Sequence, residues 1–120
     1  MIRTSLLALS LLLAAGTVQS QGLEGRLKKI AATKTITIAY RADATPFSFT
    51  DEAKQVGGFS IDLCKRVVNL IEGQLKLQGL QVKWHPVTTQ NRFDAVAKGQ
   101  ADMECGSSTV TLSRLKQVDF

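Results

Sequence analysis

Apolar residues recur at helical spacing at Leu23, Leu27 and Ile30, and the pattern then changes to β-branched alternation through TITIAY, residues 35–40. The first pattern predicts a short amphipathic helix and the second a strand. A loop containing Pro46 follows the strand, and residues 51–58 read as a turn or hairpin closed by Gly57 and Gly58. Helical spacing returns with Ile61, Cys64, Val67, Val68, Ile71 and Leu75 on one face. Ser60 is expected to cap that helix, which runs to Lys76, and Asp62 suits the positive end of its dipole. Residues 81–87 (QVKWHPV) predict a second strand whose Pro86 belongs at an edge or a terminus. Thr89 is placed to cap a helix over residues 90–98, which Gly99 would end. Residues 101–105 predict a third strand, and Thr111 a cap for one last turn over residues 112–116.

The resulting order is βαβαβ, which favours an α/β fold with a parallel sheet and right-handed crossovers. Ligands in such sheets bind beyond the carboxyl ends of the strands. Arg41 follows the first predicted strand, residues 88–92 the second and residues 106–109 the third, so all three loops are expected at one edge.

Composition changes this picture at the start of the chain. A basic opening at Arg3 precedes an apolar run from Leu6 to Ala15, broken only by Ser10, and small residues stand at Val18 and Ser20. That is the arrangement of a secretory leader, too short for a lasting membrane span. Residues 1–20 are therefore expected to be a signal peptide cut near Ser20, and residues 21–120 one domain with a modest core. Arg3 is the only charged residue of the leader, leaving a net charge of about +4 over the remainder. Basic residues are spread out and aromatics few, which fits an acidic ligand or surface better than nucleic acid. Export permits a disulfide between Cys64 and Cys105, although both also suit a core as small apolar residues. His85 is the single histidine, and no residues show metal-ligand spacing, so neither a metal site nor a cofactor is expected.

The loop chemistry points to an anion. Arg41, Arg92 and Arg114 offer planar forks of donors that match carboxylates two bonds at a time. Ser107 and Thr109 alternate after Cys105, with Gly106 allowing close backbone approach. Three cations around one pocket call for a small ligand with more than one acidic group. The plainer readings stand beside this one: a Ser/Thr-rich loop, a solvated Arg114, and Phe47 and Phe49 as ordinary core. Glu104 is read as a strand residue pointing away, and as the acid to test if the chain were an enzyme.

YR followed by PFSF, the helix start TQNR, and ECGSST followed by an arginine together resemble the solute-binding proteins of polar amino-acid ABC importers, in their glutamate/aspartate-binding branch. The likeness runs from about residue 23 to 120. It implies the type II periplasmic-binding-protein fold, two α/β lobes closing as a clamshell. Of these the residues would supply the first lobe only, with the second missing, so that the chain reads as a fragment. The resemblance implies a periplasmic, monomeric protein without catalysis or cofactor, which hands an acidic amino acid to a membrane permease. Position by position, Arg114 with Ser107 and Thr109 would take the ligand's α-carboxylate. Arg41, Arg92 and Thr89 would take its side-chain carboxylate, with Phe47 or Phe49 walling the pocket. Thr89 stands where a serine is expected in this branch. Rival readings on the same fold are a periplasmic enzyme of dehydratase or lytic type and the sensor domain of a membrane signalling protein.

Overall fold

The computed structural model describes residues 22–120. The signal-peptide expectation falls on residues 1–20 and lies outside them. Helix α1 (Gly25–Thr33) leads into β1 (Thr35–Arg41), followed by three short strands, β2 (Asp43–Ala44), β3 (Ser48–Thr50) and β4 (Val56–Gly57). Helix α2 (Phe59–Gln74), β5 (Gln81–Val87), α3 (Arg92–Ala97) and β6 (Met103–Cys105) complete the lobe, with a 3₁₀ turn at Arg114–Lys116. The main sheet is parallel in the order β5-β1-β6, with Ile38 level with Trp84 on one side and Met103 on the other.

Alternation along β1 sorts the core into two layers. Ile36 and Ile38 pack with Ile30 of α1 and with Ile61 and Val68 of α2. Ala39 packs with Val87, Ala95 and Ala101, on the α3 side. The chain leaves β1 through α2 to β5, then crosses to the opposite side of β1 through α3 to β6. The carboxyl ends of β1 and β6 therefore flank the point where the strand order reverses, the usual ligand crevice of an open α/β sheet.

Four local expectations are corrected. The stretch after Arg41, expected as a loop, enters a second, antiparallel sheet in the order β2-β3-β4, in which the expected turn or hairpin over residues 51–58 is a hairpin. Ser60 lies inside α2, whose N-cap is Gly58. The first amide groups of α2 are met by the loop instead: Phe59 N donates to Pro46 O at 3.0 Å and Ser60 N to Phe47 O at 2.9 Å. Gly58 has φ 126°, and a Cβ there would collide with the Phe47 carbonyl, so this crossing requires glycine. Thr89 likewise does not cap α3. Asn91 holds the N-cap position, and its Oδ1 accepts from Thr88 N at 2.7 Å. On α2, Val67 is exposed where the apolar face was expected to include it.

Candidate functional site

Arg41 is carried by the last residue of β1 and placed on the α3 side of the sheet by the same alternation that buries Ala39. Its backbone is fixed by Ser48, fully buried, whose hydroxyl accepts from Arg41 N at 3.0 Å and donates to Arg41 O at 2.8 Å. Its Nε donates to Asp43 at 2.7 Å, and this hydrogen bond raises the guanidinium pKa above its ordinary value.

Arg92 opens α3 and is 4% exposed, yet its Nε has no hydrogen-bond partner among the described residues. Burial lowers its pKa, the nearby Glu104 works against that, and Arg114 and Arg41 push it down further. A buried guanidinium with a free donor, pressed by two like charges, is costly unless an anion answers it. Arg114 arrives from the 3₁₀ turn, held by its own donation to Thr109 O at 2.7 Å. The guanidinium groups of Arg92 and Arg114 stand 4.9 Å and 4.8 Å from the ring centroid of Phe93, which serves as their common platform.

Glu104 is the largest departure from the sequence reading. Met103 and Cys105 pack toward α2, so the intervening Glu104 is turned to the α3 side, among the arginines and level with Ala39. Its Oε2 accepts from Ser108 at 2.9 Å, while Oε1 is buried without a partner among the described residues. Burial raises its pKa, opposed by the Ser108 hydrogen bond and by the charges of Arg92 and Arg41. Gly106 lies beneath it. A Cβ at 106 would collide with Glu104 Oε1 and come within 3.7 Å of Arg41 Cγ.

Cys64 and Cys105 are joined by a disulfide that ties α2 to the end of β6. Ser60 donates to Gly106 O at 2.8 Å, fastening the next residue to the same helix. The start of the 106–109 loop is thus held by two cross-links to α2.

The structure therefore gathers Arg41, Arg92 and Arg114 at one edge. Ser107, Thr109 and Thr89 border that edge with their side chains exposed. Phe47 is 42% exposed, and Phe49 lays its ring against Gly57 in the small sheet. Phe93, Ser108, Ser48 and Glu104 were missed as site residues. An aromatic directly after Arg92 and the opposite parity of 104 and 105 were the available signals.

The description that matches residues 36–120 is bacterial extracellular solute-binding proteins, family 3. The chain belongs to this family. Among its family relatives, the L-glutamate/L-aspartate-binding protein of Pseudomonas aeruginosa is 43% identical over 105 residues, 86% of this chain and 34% of that protein. The glutamate/aspartate import solute-binding protein of Escherichia coli K12 is 36% identical, over 98% of this chain and 39% of that protein. The chain thus spans roughly a third of the length of the curated relatives it matches. Among solved structures, the ancestral cationic amino acid solute-binding protein AncCDT-1 superposes with a TM-score of 0.70 at 32% identity, covering 80% of this chain and 39% of that one. A cysteine-binding protein from Campylobacter jejuni superposes with a TM-score of 0.69 at 29% identity, covering 78% of this chain and 36% of that one. The residues described are one lobe of the type II fold, in agreement with the expectation from sequence.

Proposed function

We propose that this lobe is the first half of an extracytoplasmic binding protein that captures glutamate or aspartate for an ABC importer. The observation that carries the reading is the convergence of Arg41, Arg92 and Arg114 at the switch point, with Arg92 buried and unpartnered at Nε. Such a group is complementary to a ligand with two carboxylates. The names of the relatives above favour the same ligand class. Arg114, with Ser107 and Thr109, takes the α-carboxylate; Arg41 and Arg92, with Thr89, take the side-chain carboxylate; Phe47 or Phe49 borders the ligand. The second lobe holds the ammonium group, and the closed protein, a monomer, delivers its cargo to a permease. Residues 1–20 direct export to the periplasm and are removed near Ser20.

Binding without catalysis is favoured because guanidinium and hydroxyl groups dominate the edge, and its one inward carboxyl, Glu104, is set among arginines and held by Ser108. An enzyme is the second reading, since an ancestral cyclohexadienyl dehydratase superposes with a TM-score of 0.66 at 28% identity. Glu104 would then be the acid.

Titration calorimetry of the complete protein with glutamate, aspartate, glutamine and leucine tests the reading. Selective binding of the acidic pair is expected, with Arg114→Ala costing about 2–5 kcal/mol. Equal binding of leucine, or a loss below about tenfold in Arg114→Ala, would overturn it. Residues 21–120 alone should bind weakly, because a ligand on one open lobe remains wet and its charge pairs are screened.

A further inference from the structure

Glu104 sits where an acidic ligand would be least welcome, and its surroundings suggest a use for that. Arg41 faces it from β1 and Arg92 from α3, yet neither forms an ion pair with it among the described residues. Arg114 stacks on the Phe93 ring, 4.8 Å from its centroid. Asp43 is bound to Arg41 and is 74% exposed on its side chain, so it lies toward solvent. From α2, the uncharged Ser60, Leu63 and Cys64 line a cavity together with Glu104, while Asp62 and Lys65 pair with each other at 3.7 Å on the outside. Asp102 and Asp119 line the cavity of about 330 Å³ on the other side of Glu104, and Asp102 is held by Lys29.

Asp43 lies toward solvent, so Glu104 is the carboxylate set among the guanidinium groups. A dicarboxylic amino acid would bring its second carboxylate to the same Arg41 and Arg92. Two carboxylates side by side in a site closed from water cannot both stay ionised without a large cost, so one of them takes a proton. The buried Oε1 of Glu104, without a partner among the described residues, is placed to accept it.

We propose that Glu104 is the internal counter-ion of the arginine cluster and that it takes up one proton from solvent, at Oε1, when the ligand's second carboxylate binds Arg41 and Arg92 beside it. This deepens the proposed function and rests on it. Glu104 thereby makes affinity for acidic ligands rise as pH falls, and it separates acids from amides, since glutamine adds no second charge and drives no proton uptake. Proton uptake there is eased because burial raises the carboxyl's pKa from its ordinary value of 4.5, while among the described residues Ser108 alone donates to it directly.

The test is calorimetry of the complete protein with glutamate, in phosphate and in Tris at matched pH between 5 and 8. The difference in observed heat between the buffers reports protons exchanged. The expected result is uptake approaching one proton per glutamate in part of that range, with uptake lost in Glu104→Gln. Ser108→Ala removes the donor that stabilises the ionised carboxylate and should move the affinity profile to higher pH, an outcome that does not depend on Glu104→Gln folding. Glutamate binding with no proton exchanged, or with undiminished uptake in Glu104→Gln, overturns this inference alone. Absence of binding by any acidic amino acid overturns the proposed function and this inference with it.

Discussion

Lys29 Nζ lies 2.8 Å from Oδ1 and 2.9 Å from Oδ2 of Asp102, whose side chain is only 2% exposed. The same carboxylate accepts from Thr37 N at 2.8 Å, and Arg26 donates to Ala101 O at 2.9 Å and to Val96 O. Helix α1 is thereby fastened across the amino ends of β1 and β6, opposite to the arginine cluster. Asp102→Ala would leave a buried amide at Thr37 unanswered, at about 1–3 kcal/mol. The Lys29 side of the pair adds little, since its side chain is 45% exposed and screened. Urea unfolding should show that loss, while glutamate affinity changes less than about threefold.

The disulfide closes a loop with a sequence separation of 41, for which chain-entropy reasoning gives about 4 kcal/mol. Replacing both Cys64 and Cys105 by alanine should lower stability by about 2–4 kcal/mol. Hydrogen exchange at Gly106 and Ser108 should accelerate too, because Ser60 alone would then hold that loop to α2.

Arg92→Met should separate stability from binding. Replacing a buried, poorly satisfied charge with an apolar chain of similar length is often neutral or stabilising. Thermal unfolding without ligand should therefore stay level or rise, while glutamate affinity falls by about 2–5 kcal/mol. A fall in both would mean that Arg92 is a structural charge.

Gly106→Ala forces a methyl group into the space of the Glu104 carboxylate, and overpacking of this kind costs about 1–3 kcal/mol. The φ at 106 is not in the left-handed region, so the penalty is steric and should be specific to that neighbour. In a Glu104→Ala background, the same substitution should cost under about 1 kcal/mol. A full penalty in both backgrounds would place the clash elsewhere.

Stability should depend on pH through Glu104. Its pKa in the fold is raised above the ordinary 4.5, so the folded state binds that proton more tightly than the unfolded chain does. The resulting stabilisation is fully present below about pH 4.5 and is lost as pH rises through the raised value. Glu104→Gln should remove this loss, making the variant relatively more stable at pH 8 than at pH 4 in paired urea titrations.

Much of the fold was legible because its signals are local. Two-residue alternation through 35–40 and 81–87, and helical spacing from Ile61 to Leu75, gave elements within a few residues of those observed. The short strands β2 and β4 were not legible, because two residues acquire strand geometry only from partners such as Phe49 and Thr50. The start of α2 was misplaced for a related reason: its first donors are answered by Pro46 and Phe47, loop carbonyls that local sequence cannot position.

By itself the sequence determined that Arg41, Arg92 and the 106–109 loop would share one edge, since a βαβαβ order with parallel strands leaves the loops after its strands at the same end. Only the tertiary structure decided which side chains meet there. The order β5-β1-β6 sets Met103 and Cys105 against α2 and so turns Glu104 toward α3 and the arginines. A strand's alternation specifies that neighbouring residues face opposite ways, but which layer each face meets depends on how the sheet is wound.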